Sequence, residues 1–164
     1  MSLDAHLPSP VRFLEARLGR LRAPESLRAY ESFFEERGRL VSEAVDRAGT
    51  PPLRMFDRFG NRVDEVVFPP EYRELVRKGY EAGVVFRAAE EGDLAASYQV
   101  GYVTSFYDAG LYCPHTVSLS TAIPLAKYGA ADVRARYLPQ LLKRDASVWQ
   151  GATWMTEAKG GSDL

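Results

Sequence analysis

The residues best suited to chemistry lie together at the C-terminal end of the chain. Trp149-Gln150-Gly151-Ala152-Thr153-Trp154-Met155-Thr156 runs into Glu157-Ala158-Lys159-Gly160-Gly161-Ser162-Asp163-Leu164. The apolar run from Ala152 to Met155 predicts a buried strand, and the residues after it predict a polar, glycine-rich loop. A strand opening into such a loop can present backbone amides and hydroxyls to a ligand. Gly160 and Gly161 permit close backbone approach, while Thr156 and Ser162 supply hydroxyls. A plain polar turn ending a strand is the alternative reading of the same residues. The stretch is not a P-loop, because the glycine to Lys-Ser/Thr spacing is absent. It is not a dinucleotide fingerprint either, since the third glycine and a following helix are missing.

Other groups have weaker claims. Glu90-Glu91 with Asp93 could form paired carboxylates for acid–base work; a solvated, capped helix junction explains them as well. Cys113 beside His115 could be a nucleophile pair, but two residues apart at a helix start their side chains diverge. Tyr98, Tyr102 and Phe106 could line an acyl pocket, and their four-residue spacing favours core packing. Lys143 and Arg144 could meet phosphates, or simply sit at a helix end where cations suit the dipole.

The elements that must position these residues are helical. The chain has 164 residues, 46% hydrophobic and 26% charged, enough for one domain with a real core. Its net charge of −1 counts against nucleic acid as a principal partner. A single cysteine excludes an internal disulfide and fits a reducing, cytoplasmic setting. With His6 and His115 the only histidines, no metal-ligand spacing exists. No apolar run approaches the ~20 residues that span a bilayer, and no signal peptide is evident.

In chain order, an arm over 1–10 precedes a helix from Val11 to Leu21 carrying Val11, Leu14, Leu18 and Leu21. Ser26 is expected to cap a second helix, with Glu25 as a possible start. Its stripe is Leu27, Tyr30, Phe34, Val41, Val45 and Ala48, widened by Phe33, Leu40 and Ala44, and Gly49-Thr50-Pro51-Pro52 ends it. Leu53 to Phe68 predicts a small hairpin turning at Gly60-Asn61, which should lie on the helices because two strands alone are marginal. Pro70 or Glu71 opens a third helix reaching Ala88. Asp93 caps a helix over Leu94–Ala109 that is apolar on nearly all sides and therefore central, with Gly110 as its end. A further apolar helix over 114–128 should kink or join at Pro124, and Asp132 caps a last one to Leu142. The expected fold is mainly α, an orthogonal or up-down helical bundle with a small β-hairpin and a terminal strand. Residues 1–148 form the helical domain and 149–164 the first strand and loop of another.

Met155-Thr156-Glu157-Ala158-Lys159-Gly160-Gly161-Ser162-Asp163-Leu164 resembles the signature of the acyl-CoA dehydrogenase superfamily, where a strand ends in Thr-Glu and continues through Gly-Ser-Asp. Usual members have proline where this chain has Ala158. The lysine and paired glycines look more like the branch related to the adaptive response to alkylating agents. Tyr112-Cys113-Pro114 opening a Ser/Thr-rich apolar helix, and Tyr137-Leu138-Pro139 before the strand, also fit.

The resemblance implies an N-terminal helical domain, a middle β-domain and a C-terminal helical domain, with FAD between the last two. By position, Thr153, Met155 and Thr156 match the strand that contacts the flavin pyrimidine edge. Gly161 and Ser162 match the loop beside the cofactor and the acyl-CoA, Ser162 touching substrate. The implied reaction, part of fatty acid metabolism, takes a proton α to a thioester and passes a hydride from the β carbon to FAD. Its base is a carboxylate of the C-terminal domain, so no catalytic residue is expected within these 164 residues, which alone should be inactive and hold FAD poorly. No residue pattern identifies the electron acceptor. An orphan strand and uncovered helix faces predict a homo-oligomer. Two rival readings remain: a non-enzymatic helical interaction module, and a DNA-protecting flavoprotein with vestigial activity.

Overall fold

The computed structural model describes residues 8–153. Eight α-helices and one two-stranded antiparallel sheet follow in order: α1 Pro10–Leu18, α2 Pro24–Phe33, a π-helical turn Phe34–Gly38, α3 Arg39–Ala48, β1 Leu53–Phe56, β2 Arg62–Val66, α4 Pro70–Ala82, α5 Phe86–Ala89, α6 Leu94–Tyr107, α7 Ala109–Tyr128 and α8 Ala131–Leu141. The mainly helical class and the hairpin are as the sequence predicts. Ala152 and Thr153 carry no strand, and the remainder of the expected terminal strand lies outside the described residues.

Local chemistry explains most ends. Ser9 accepts the Arg12 N–H at 3.0 Å and donates its hydroxyl to Glu31 at 2.6 Å, which caps α1 and ties it to α2. Gly19, at φ 67°, ends α1 at Leu18, three residues before the expected stop; Leu21 is buried from the following turn. Ser26 is not the cap of α2. The helix starts at Pro24, whose fixed φ suits the first turn, and Ser26 instead donates to the Ala82 carbonyl at 3.3 Å. Asp93 does cap α6, accepting the Ala96 N–H at 3.0 Å. Gly110 caps nothing. Asp108 divides α6 from α7, its N–H bonded to Thr104 and its carboxylate to the Leu111 N–H. The next helix therefore starts at Ala109, with Pro114 and Pro124 inside it. Asp132 lies in the first turn of α8 rather than at its cap, still favourable to the helix dipole. The expected long third helix breaks at Gly83, where φ is 107°.

The hairpin departs most from expectation. It pairs Leu53 with Val66 and Arg54 with Glu65, and a bulge follows in which Asp64 adopts φ 45°. Asp57 accepts the Phe59 and Asn61 N–H groups at the turn. It does not lie on the helices: Leu53, Met55, Phe56 and Phe59 are all exposed. Contacts at its base hold it instead, the Val67 N–H on the Pro52 carbonyl at 2.9 Å and Phe68 stacked on Tyr72 with centroids 4.7 Å apart.

The core lies between α2, α4, α6 and α7, with Leu27, Phe34, Leu75, Tyr80, Val100 and Val103 at its centre. Alpha6 turns its small and hydroxylated residues inward. Ser97 bonds the Gly83 carbonyl, and Thr104 bonds the Val100 carbonyl while meeting the Tyr30 hydroxyl at 3.1 Å. Tyr98 and Tyr102, expected in the core, face outward at 55% and 39% exposure, with Phe13 stacked on Tyr102. The physical reason is proximity: small residues let α7 come close. A Cβ on Gly101 would lie 2.3 Å from the Tyr112 ring, and one on Gly79 would lie 2.2 Å from His115 Cε1. Gly79→Ala is therefore expected to cost about 1–3 kcal/mol by overpacking. Gly101→Ala should cost less, because the half-buried Tyr112 ring can swing toward solvent. Equal urea midpoints for the two variants would contradict this reading.

Candidate functional site

The chain leaves the helical domain through a short, heavily bonded passage. After α8, Asp145 accepts both the Ser147 N–H and its hydroxyl, at 2.7 and 2.6 Å, turning the backbone. The Trp149 N–H then bonds the Gln140 carbonyl at 3.0 Å. Burial holds the Tyr72 phenol above its ordinary pKa, with the Gln150 side chain acting the other way. The Gly151 N–H donates to Ser118 Oγ at 3.0 Å. Ser118 also accepts the Tyr80 hydroxyl at 2.5 Å. Tyr80, Ser118 and His115 are all buried, and burial pushes the Tyr80 phenol up to about 12. An open groove of about 350 Å³ runs beside this passage, lined by Phe68, Tyr72, Arg73, Val76, Val148 and Gln150.

Alpha7 supplies the anchor. Thr116, Ser120 and Thr121 bond carbonyls of their own helix, at Cys113, Val117 and Val117, a common habit of hydroxyls inside helices. Ser118 instead serves donors from two other segments. The sequence signal for it was the Ser/Thr content of an apolar helix, which marks four hydroxyls alike and singles out none.

The predicted ligand residues divide. Thr153 is exposed, two residues past the anchored Gly151. Met155, Thr156, Gly161 and Ser162 lie outside the described residues.

The weaker candidates separate in space. Glu90 pairs with Arg144 at 3.0 Å, Glu91 with Arg87 at 3.3 Å, and Asp93 caps α6, so each carboxylate has a partner of its own. Cys113 is exposed, whereas His115 is fully buried with Nε2 3.3 Å from the Val76 carbonyl. Burial lowers the His115 pKa to about 4, so its ring is neutral and too remote from solvent to activate a thiol. Arg144 stacks 3.7 Å above the Phe86 ring centroid. Tyr98 and Tyr102 face solvent rather than a shared interior pocket wall. No group of three metal-ligating side chains occurs among the described residues, and no helix there is long and apolar enough to cross a membrane.

Comparison with known proteins places this architecture. Residues 14–146 match the family model of the adaptive response protein AidB N-terminal domain. Acyl-CoA dehydrogenase family member 11 of Caenorhabditis elegans is 30% identical over 123 residues, covering 70% of this chain and 20% of its own length. The crystal structure of C. elegans ACDH-11 in complex with C11-CoA superposes with a TM-score of 0.74 at 22% identity, over 99% of this chain and 32% of that one. The apo form of Bd2924 superposes with a TM-score of 0.66 at 25% identity, over 95% and 33% respectively. The chain thus spans a fifth of the curated relative and about a third of the solved ones. The family-model match ends at residue 146, so it rests on the helices and not on the residues after Trp149. The chain belongs to the AidB N-terminal domain family, the N-terminal helical part of the acyl-CoA dehydrogenase superfamily.

Proposed function

We propose that this chain forms the helical wall of the flavin and acyl-thioester site of an FAD-dependent acyl-CoA dehydrogenase-like protein. Residues 1–148 make the wall, and 149–164 begin the β-domain that contacts the cofactor. The observation that carries this reading is the anchored exit at Gly151, which delivers Ala152 and Thr153 into exposed space directly before the Thr-Glu and Gly-Ser-Asp motif. The donor chemistry fits the group: amides and hydroxyls match the carbonyls and ring nitrogens of an isoalloxazine edge. Thr153, Met155 and Thr156 would hold that edge. Gly161 would permit close approach, and Ser162 would reach both the cofactor and the acyl-CoA. When bound, FAD supplies the hydride acceptor. The helices contribute orientation and water exclusion, and the base comes from elsewhere in the protein.

Flavin absorbance tests this. Purified full-length protein is expected to carry near-stoichiometric flavin that bleaches anaerobically with an acyl-CoA, while the 164-residue chain retains none. Thioester-dependent bleaching by the chain alone would overturn the division of labour, and flavin-free full-length protein would overturn the cofactor. The motif's resemblance to the alkylation-response branch, with a matched family named for an adaptive response protein, supports one further reading, a DNA-protecting flavoprotein. Salt-dependent DNA binding by the full-length protein, absent from this chain, would support it.

A further inference from the structure

We infer that Ser118 is a positioning residue for the ligand-binding segment, holding the Gly151 amide at its entry from the buried face of α7. This inference rests on the reading of residues 152–164 as a cofactor segment. The geometry is specific in three respects. Ser118 Oγ accepts from Tyr80 at 2.5 Å and from Gly151 at 3.0 Å, which engages both acceptor sites of a hydroxyl. The oxygen is fully buried, so no water competes for those sites. Gly151 itself is forced to be glycine: a Cβ would lie 2.4 Å from Thr121 Oγ1 and 2.9 Å from Ser118 Cα. The latter is helix backbone and cannot give way. The chain therefore passes flush against α7 and is pinned there by one hydrogen bond.

A neighbouring bond sets direction. The Trp149 N–H on the Gln140 carbonyl fixes the approach from α8. With α8 and α7 each holding one residue, the helical domain sets the direction in which the chain enters Ala152 and Thr153. A cofactor edge read by strand amides demands that placement, since a displacement of about 1 Å is costly to pre-organised sites. Ser118 acts through Gly151 and touches no ligand.

Two measurements test it. In this chain, amide exchange at Gly151 is expected to speed up about tenfold in Ser118→Ala, the effect of losing one buried hydrogen bond. Val100 and Val103 amides should keep their protection. Tyr80→Phe is the control, because it removes the other donor and should leave Gly151 protected. In the full-length protein, Ser118→Ala and Gly151→Ala are expected to weaken FAD binding at least fivefold and to shift its absorption band, whereas Tyr80→Phe should do neither. Unchanged Gly151 exchange in Ser118→Ala would overturn the anchor. Faster exchange with unaltered flavin affinity and spectrum would overturn the positioning role. Wild-type protein without flavin would remove the cofactor reading and leave the anchor to be decided by exchange alone.

Discussion

Phe34→Ala is expected to remove about 3–5 kcal/mol of unfolding free energy, the range for truncating a fully buried phenylalanine. Phe34 is 0% exposed. Its ring stacks on Tyr107 with centroids 4.7 Å apart, and meets Tyr30 and Phe33 edge-on at 5.1 and 5.4 Å. These contacts join the α2 region to α6, so the hole left by alanine opens at a junction that cannot collapse locally. Such a loss is a large part of the roughly 5–15 kcal/mol that holds a domain together. Leu40→Ala on the same helical stretch is the contrast. Leu40 was expected to widen the buried stripe, but the π-helical turn Phe34–Gly38 intervenes and the side chain is 66% exposed. Its truncation should stay within about 0.5 kcal/mol. Urea unfolding followed by circular dichroism decides both, and a Leu40→Ala loss comparable to Phe34→Ala would mean that the π turn is absent in solution.

Stability should fall as pH drops from about 6.5 toward 4, and His115 is the cause. Burial is the main reason its folded pKa lies near 4, with the Val76 carbonyl and the Asp108 charge acting the other way. In the unfolded chain the ring takes up a proton near pH 6.5. Between those values the unfolded state binds a proton that the native state refuses, so stability rises with pH across the window. The contribution is fully present above the unfolded value and is lost on acidification, roughly 3 kcal/mol over the window. Asp57, Glu74 and Asp145 also have lowered pKa values, from hydrogen bonds with Asn61, Arg37 and Ser147. Their stabilisation is present above the ordinary carboxylate range and lost as pH falls through their folded values. They act at lower pH than His115 and are too exposed to rival it. Urea midpoints from pH 7 to pH 4.5 should therefore slope in the wild type and flatten in His115→Gln. An identical slope in the variant would assign the effect to other groups.

Membership in the superfamily and the roles of the buried groups come from different parts of the molecule. The matched family model rests on the helical span 14–146. The motif resemblance rests on residues 155–164. The junction between them, Trp149 to Gly151, is where the helices take hold of the chain.

What the sequence determined by itself is local. Asp93 before an apolar run, Pro70 at a first turn, Gly49 at a helix end and Gly60-Asn61 between two extended runs each act over a few residues of backbone, so their consequences can be read without the fold. The mainly α class follows from those ends and the apolar periodicity between them. The tertiary structure decided what periodicity could not. Alpha6 and α7 are apolar almost all round, so composition did not say which face turns inward. The choice went to the small and hydroxylated face, because Gly79 and Gly101 allow close helix approach and Ser97, Thr104 and Ser118 find partners there. Tyr98 and Tyr102 were left outside. The partnership of Ser118 with Gly151, 33 residues away, exists only because α7 and the departing chain pack without a side chain between them.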